Sequence, residues 1–196
     1  LVQNVGGADT APEVQALVNT AAADQAAALT AISAAAQAND ADGVSKATLT
    51  QYADLGVTGV DANNLAAINS ALNDADVQSA QTDTTAKVQA IVDAYNAIKA
   101  NADGTANNNA TNPTQAQYTA IGVSGVDSAV EESLLGDVVD TKAFSAVDTV
   151  GEVQTLADAV SAVMTGAAGG TAPTLAQLQA LGITGATADN LPAVLA

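Results

Sequence analysis

Apolar residues recur along this chain every third or fourth position in short stretches, each bounded by residues that start or stop helices. Val14, Leu17 and Val18 form one such stretch; Val88, Ile91, Val92, Tyr95 and Ile98 form a second, and Val153, Leu156, Val160 and Val163 a third. That spacing lays the apolar side chains along one face of an α-helix, so each stretch predicts an amphipathic helix. The β-branched and aromatic residues that strands favour occur only in short clusters, and the abundant alanine has the best helix propensity. The expected fold class is all-α.

The helix starts are written in a motif that occurs three times, Asp-Thr-x-x-(Glu or Lys)-Val-Gln-x-(Leu or Ile). Its copies are Asp9, Thr10, Glu13, Val14, Gln15, Leu17; Asp83, Thr84, Lys87, Val88, Gln89, Ile91; and Asp148, Thr149, Glu152, Val153, Gln154, Leu156. Threonine with Glu three residues on is a capping box, which satisfies backbone N–H groups left without partners at a helix start. In the middle copy Lys87 replaces the Glu, and the cap there is expected to be weaker.

A second motif also occurs three times, Thr-x-x-Gln-(Tyr or Leu)-x-x-(Leu or Ile)-Gly-(Val or Ile)-(Thr or Ser)-Gly. It occupies Thr48 to Gly59, Thr114 to Gly125 and Thr174 to Gly185. It describes a short helix opened by a Thr cap and closed by a glycine in the left-handed conformation, Gly56, Gly122 or Gly182, with the next residue folding back on the last turn. Asp61, Asp127 or Thr187 then reads as the cap of a third helix. That helix carries Leu65, Ile68 and Leu72 in the first copy and Leu191 and Val194 in the last. The middle copy, with Val130, Leu134 and Leu135, does not align cleanly.

The motifs alternate in a fixed order. Gly56 to Val88 and Gly122 to Val153 match to within one residue, whereas Val14 to Gly56, Val88 to Gly122 and Val153 to Gly182 shorten steadily. Insertions therefore collect between the long helix and the short one, a connection expected to be exposed. The predicted architecture is a tandem array of helical repeats, each with one long, one short and one medium helix and roughly 60 to 75 residues. Residues 9–82, 83–147 and 148–196 are the three repeats, and 1–8 reads as the tail of a preceding one, through Leu1, Val2 and Val5. The last repeat reads as truncated at Ala196, inside its third helix. A unit of this size buries only about 60% of its unfolded surface, so packing against neighbours is expected.

With these motifs laid out, the chain resembles the alanine- and aspartate-rich helical repeats of giant secreted surface adhesins of Gram-negative bacteria, of the biofilm-matrix type. The resemblance implies display outside the cell, at the bacterial surface, with the repeats acting as spacers or adhesive modules. It implies neighbouring repeats of the same parent chain, and a host or matrix surface ligand, as partners. It supplies no catalytic residue.

Composition narrows the chemistry. Four Lys plus Arg against 21 Asp plus Glu give a net charge of −17, and Lys46, Lys87, Lys99 and Lys142 are scattered. Nucleic acid needs a clustered cationic footprint and is not expected as a partner; an anionic membrane surface repels this chain for the same reason. The longest uncharged stretch, Ala159 to Ala188, is broken by Gly166, Gly169, Gly170 and Pro173, so no membrane insertion is expected. Apolar residues make up 48% but aromatics only 2%, and much of the apolar count is alanine, which predicts a thin core. The chain has no His and no Cys, which removes Ser-His-Asp and Cys-His nucleophiles and the usual zinc and haem ligands. Glu131 and Glu132 are the only adjacent glutamates, and neighbours on a helix diverge by about 100°, so they do not converge on a substrate. An enzyme is not expected, and no catalytic, cofactor-binding or metal residue is assigned.

Calcium is the one cofactor left open. Asn39, Asp40, Asp42 and Gly43, and Asn101, Asp103, Gly104 and Asn107 to Asn109, form oxygen-rich turns in the insertion-prone connection. Neither fits an EF-hand: aligned on its glycine, Ala38 or Lys99 falls first and Leu49 or Ala110 last, where carboxylates are required. Thr10, Thr20 and Thr30 spiral off one face, since ten residues advance a helix by roughly 1000°, and give no ice-binding plane. Tyr52, Tyr95 and Tyr118 fall at core positions. The leading expectation is a non-catalytic structural spacer or stalk, or an adhesive repeat segment. The alternatives are a ligand- or calcium-binding module and a surface-lattice domain of the S-layer kind.

Overall fold

The computed structural model describes residues 10–38, 43–106 and 111–195. Leu1, Val2, Val5, Asp9, Asn39, Asp40, Asp42, Asn107 to Asn109 and Ala196 lie outside the described residues. The fold is all-α. Among the described residues are nine α-helices and no strand: α1 (Ala11–Ala38), α2 (Leu49–Leu55), α3 (Leu65–Leu72), α4 (Thr85–Asn101), α5 (Gln115–Ala120), α6 (Ala129–Asp140), α7 (Val150–Ala167), α8 (Leu175–Ala180) and α9 (Leu191–Val194). Single turns of 3-10 helix at Ser79–Gln81 and Phe144–Ala146, which the periodicity does not reveal, lead into α4 and α7.

The helix boundaries follow the side-chain chemistry of the motifs. Thr48, Thr114 and Thr174 each accept from the backbone N–H three residues on, and Gln51, Gln117 and Gln177 each reach back to the backbone N–H of the cap. Thr149 and Glu152 make the same box at α7. At α4 Thr84 still accepts from the Lys87 N–H but no side chain returns to it; the Lys87 ammonium turns instead to Asp83, at 2.7 Å, and to the Ala80 carbonyl. After each short helix, glycine takes the left-handed conformation, with φ of 83°, 95° and 81° at Gly56, Gly122 and Gly182. The next residue then donates back to the last turn, Val57 to Tyr52, Val123 to Tyr118 and Ile183 to Leu178.

Two expectations are corrected. The cap before α6 is Ser128 rather than Asp127: the Ser128 hydroxyl accepts from the Glu131 N–H, while Asp127 only donates its own N–H to the Glu131 carboxylate. Asp61 and Thr187 do organise the turns before α3 and α9, each paired with an Asn three residues on, but the residues at the helix caps are Asn64 and Asn190. The middle copy has Val130 in place of that Asn, so the helix starts directly and α6 runs to 12 residues against 8 for α3. The extra residues of the first copy also go largely into helix: α1 has 28 residues, α4 17 and α7 18. Alanine's helix propensity lets the insertion extend α1 to about 42 Å.

Each long helix packs on the short helix that follows it, and α4 and α7 also pack on the third helix that precedes them, α3 and α6. The core joins Ile32, Leu55, Ile68, Leu72, Val88, Ile98, Ile121, Leu135 and Val153 into one cluster. Tyr52, Tyr95 and Tyr118 are its largest fully buried side chains, in line with their core spacing. Tyr52 donates to Asn69 Oδ1 at 2.9 Å, and Asn69 Nδ2 in turn donates to the Ala47 carbonyl. Tyr118 Oη has no hydrogen-bond partner among the described residues, because α6 presents Leu135 and Gly136 on its buried face in place of a carboxamide. In the third copy Leu178 replaces the tyrosine outright.

This asymmetry predicts opposite responses to one substitution. Tyr52→Phe strands the Asn69 acceptor in the core and should cost about 1–3 kcal/mol in urea denaturation, whereas Tyr118→Phe removes an unpartnered hydroxyl and should be neutral or stabilising.

Candidate functional site

The two motifs meet in space. Gln89, the glutamine of the second copy of the helix-start motif, lies on α4 and reaches the loop after α2. Its Oε1 accepts from the Thr58 N–H at 2.9 Å and its Nε2 donates to the Thr58 carbonyl at 3.0 Å. Gln154 on α7 does the same to Ser124 after α5, at 2.9 and 3.2 Å. A primary amide offers one acceptor and one donor side by side, so it can satisfy both backbone groups of one residue, provided that residue turns them outward. The flanking glycines allow this: Gly59 and Gly125 hold φ of 83° and 75°, a region that strains any side chain. A Cβ on Gly59 would also lie 2.8 Å from Asn96 Nδ2.

Each clamp is pre-aimed by a residue one helical turn on. Gln89 Nε2 also donates to Asp93 at 2.8 Å, and Gln154 Nε2 to Asp158 at 2.7 Å. The loops are braced from behind: Asn64 and Asn96 both donate to the Gly59 carbonyl, and Asn190 donates to that of Gly185. In the middle copy, which has no such Asn, Gln115 Nε2 donates to the Val126 carbonyl.

Among the described residues, the acidic side chains singled out in the sequence accept hydrogen bonds from different backbone and side-chain donors. Glu131 Oε2 accepts from the Ser128 hydroxyl and the Asp127 N–H, while Glu132 Oε2 accepts from the Gln115 N–H at the start of α5. Of the oxygen-rich turns, Asn101 is buried with its Nδ2 donating to the Gly136 carbonyl, and Asp103 Oδ1 accepts from the Thr105 N–H. Gly43 and Gly104 turn with positive φ. The four cations serve separate purposes: Lys46 donates to the Val44 carbonyl, Lys87 pairs with Asp83, Lys99 sits 5.7 Å from the Phe144 ring centre, and Lys142 donates to the Ala180 carbonyl at the end of α8. Among the described residues, one surface hollow of about 330 Å³ lies between Asp76, Gln81 and the Gly122–Asp127 loop. No helix is long and apolar enough to cross a membrane among the described residues.

The residues that join helix to loop and that sequence reasoning left unassigned are Gln89 and Gln154. Their signal is present, since the glutamine is invariant in one motif and the Gly-(Val or Ile)-(Thr or Ser)-Gly loop in the other, but pattern alone does not say that the two touch. No protein family, no curated protein and no solved structure matches the chain.

Three carboxyls report the electrostatics. The N–H of Asn63 holds Asp61 below the ordinary carboxylate range, against a smaller opposing effect of burial. Burial pushes Asp74 up, as it does Asp148, where the nearby Glu152 carboxylate adds to the effect. A carboxyl raised by folding stabilises the fold fully below its unfolded pKa of about 3.9 and loses that contribution as pH rises through its folded value. A depressed carboxyl does the reverse. The thermal midpoint should therefore rise as pH falls from 7 toward the ordinary carboxylate range, aided by relief of the −17 self-repulsion, with the contribution of Asp61 lost only at lower pH, as it is protonated. Asp74→Asn and Asp148→Asn should flatten the rise. For the clamps, Gln154→Ala should lower stability by about 1 kcal/mol in urea titration while Gln15→Ala changes it by roughly nothing; both carry the same helix-propensity gain, so the difference isolates the clamp.

Proposed function

We propose that this chain is a non-catalytic spacer or adhesive segment of a large extracellular bacterial surface adhesin, built of tandem three-helix repeats. The carrying observation is that one junction chemistry occurs twice. The glutamine of a helix-start motif grips the loop that closes the preceding short helix, at Gln89 with Thr58 and at Gln154 with Ser124. A junction written into both recurring motifs is what a chain needs if it is to be lengthened by adding units, and a stalk is a structure whose useful variable is length.

Other features support the same reading. Strong acidity without clustered cations keeps neighbouring stalks apart at low salt, and a cysteine-free chain does not depend on the redox state of its surroundings. Glu131 and Glu132, the one adjacent glutamate pair, are spent on helix starts. The resemblance to adhesin repeats rests on the two motifs, and both of them operate as helix boundaries here.

Small-angle X-ray scattering on the purified chain, with and without calcium, tests this function. A monomer whose maximum dimension does not change with calcium is the expected result. Assembly or stiffening that requires calcium would replace the spacer with a lattice or calcium-binding domain.

A further inference from the structure

Among the described residues, three aspartates build the same local turn. The carboxylate of each accepts from the backbone N–H two residues on: Asp61 Oδ1 from Asn63 at 2.7 Å, Asp74 Oδ1 from Asp76 at 2.9 Å and Asp103 Oδ1 from Thr105 at 2.8 Å. That bond draws the carboxyl carbon back over the peptide that joins the aspartate to the next residue. In the first two turns the next residue is Ala62 or Ala75, whose methyl group stands beside the peptide nitrogen. In the third it is Gly104, at φ of 81°, with nothing within 4 Å of where a Cβ would sit. Asp103, Gly104 and Thr105 are all exposed, in the connection between α4 and α5. Gly169, which turns with φ of 83° in the corresponding connection between α7 and α8, follows Ala168 and so has no carboxyl before it.

We infer that Asp103 is a site of spontaneous covalent modification, at which the Gly104 nitrogen closes on the Asp103 side chain and the peptide link passes to the β-carboxyl as isoaspartate. Gly104 N adds to Cγ of Asp103 in its neutral acid form, and negative charge gathers on Oδ1, where the Thr105 N–H already donates. Glycine leaves the attacking nitrogen unshielded. The Cγ–Oδ2 bond then breaks, and Oδ2 departs as water, taking the carboxyl proton and the Gly104 amide proton. The cyclic imide that remains takes one water back. Addition at Cγ restores aspartate; addition at the main-chain carbonyl of Asp103 gives isoaspartate, with no net change of mass. The backbone then runs through Cβ and Cγ, one atom longer, and Oδ1 becomes a main-chain carbonyl oxygen. Asp103 pairs with Ala143 in a single antiparallel bridge, so the lengthening falls where this connection is tied to the segment that leads into α7. The inference goes beyond the spacer reading and does not depend on it.

Peptide mapping of the purified chain tests this, after weeks in warm, mildly acid buffer that keeps a share of the carboxyls neutral, beside a parallel sample in urea. Cleavage after lysine puts Asp103 in the peptide between Lys99 and Lys142, and Asp61 and Asp74 together in that between Lys46 and Lys87. Electron-transfer fragmentation splits the Cα–Cβ bond that isoaspartate brings into the backbone and so locates it by residue; methyl transfer by an isoaspartyl methyltransferase measures its amount. In the folded chain isoaspartate at Asp103 should exceed that at Asp61 and at Asp74 by about tenfold or more, which corresponds to a barrier lower by about 1.4 kcal/mol. It should form there at least as fast as in urea, because unfolding removes the Thr105 donor from Oδ1. Isoaspartate at Asp103 that is absent from the folded chain, slower to form there than in urea, or no more abundant than at Asp61 and Asp74 would overturn the inference.

Discussion

A glutamine amide that satisfies both backbone groups of a single loop residue is the interaction on which the rest of this structure depends. It demands a loop that turns one residue's N–H and C=O outward together, and glycines on both sides supply that turn at Thr58 and Ser124. It demands a helix start at a fixed distance ahead of the glutamine, which the Thr84 and Thr149 caps set. It also holds the aliphatic residue of the loop, Val57 or Val123, inside the core while the next long helix passes over it. Caps, glycines and glutamine are therefore one device, and the constancy of the spacing from Gly56 to Val88 and from Gly122 to Val153 follows from it.

The core that this device orders is thin, as a chain with 2% aromatic residues must be. Alanine at Ala67, Ala71, Ala94, Ala157 and Ala159 lets helices approach closely while contributing little transfer free energy per residue. The tyrosines supply bulk where alanine cannot, at the cost of a hydroxyl that must be answered. Tyr52 is answered by Asn69, Tyr118 is not, and Leu178 avoids the question. Such differences between copies show where an otherwise uniform pattern has local freedom.

Much of this was legible in the sequence. Fold class, the Thr caps and the left-handed glycines all rest on local chemistry within four or five residues, and local chemistry is what a sequence displays. The start of α6 was misplaced by one residue because Asp127 and Ser128 are both competent caps, and the choice is made by Glu131, which reaches the Asp127 N–H while Ser128 takes its own. The excess length before Gly56 was read as an exposed connection, whereas much of it is helix: an alanine-rich insertion has no reason to leave the helical conformation. The clamps were invisible for a different reason. Both partners belong to the motifs, but Gln89 and Thr58 stand 31 positions apart, and nothing within a motif says which distant loop its glutamine meets.

One bond sets an order of assembly. The Val150 N–H, an unsatisfied donor at the start of α7, is received at 3.0 Å by the buried hydroxyl of Ser70 on α3, across 80 residues of chain. A strictly nearest-neighbour array would let any segment form as soon as the adjacent one existed. Here α7 leans on α6 and on α3 together, so part of its packing waits for an element far back in the chain. Closing so long a loop carries an entropic cost that must be met before the contact stabilises anything, which places this step late in folding. During synthesis from the N-terminus, α3 and α6 are thus already made when α7 emerges to pack on both.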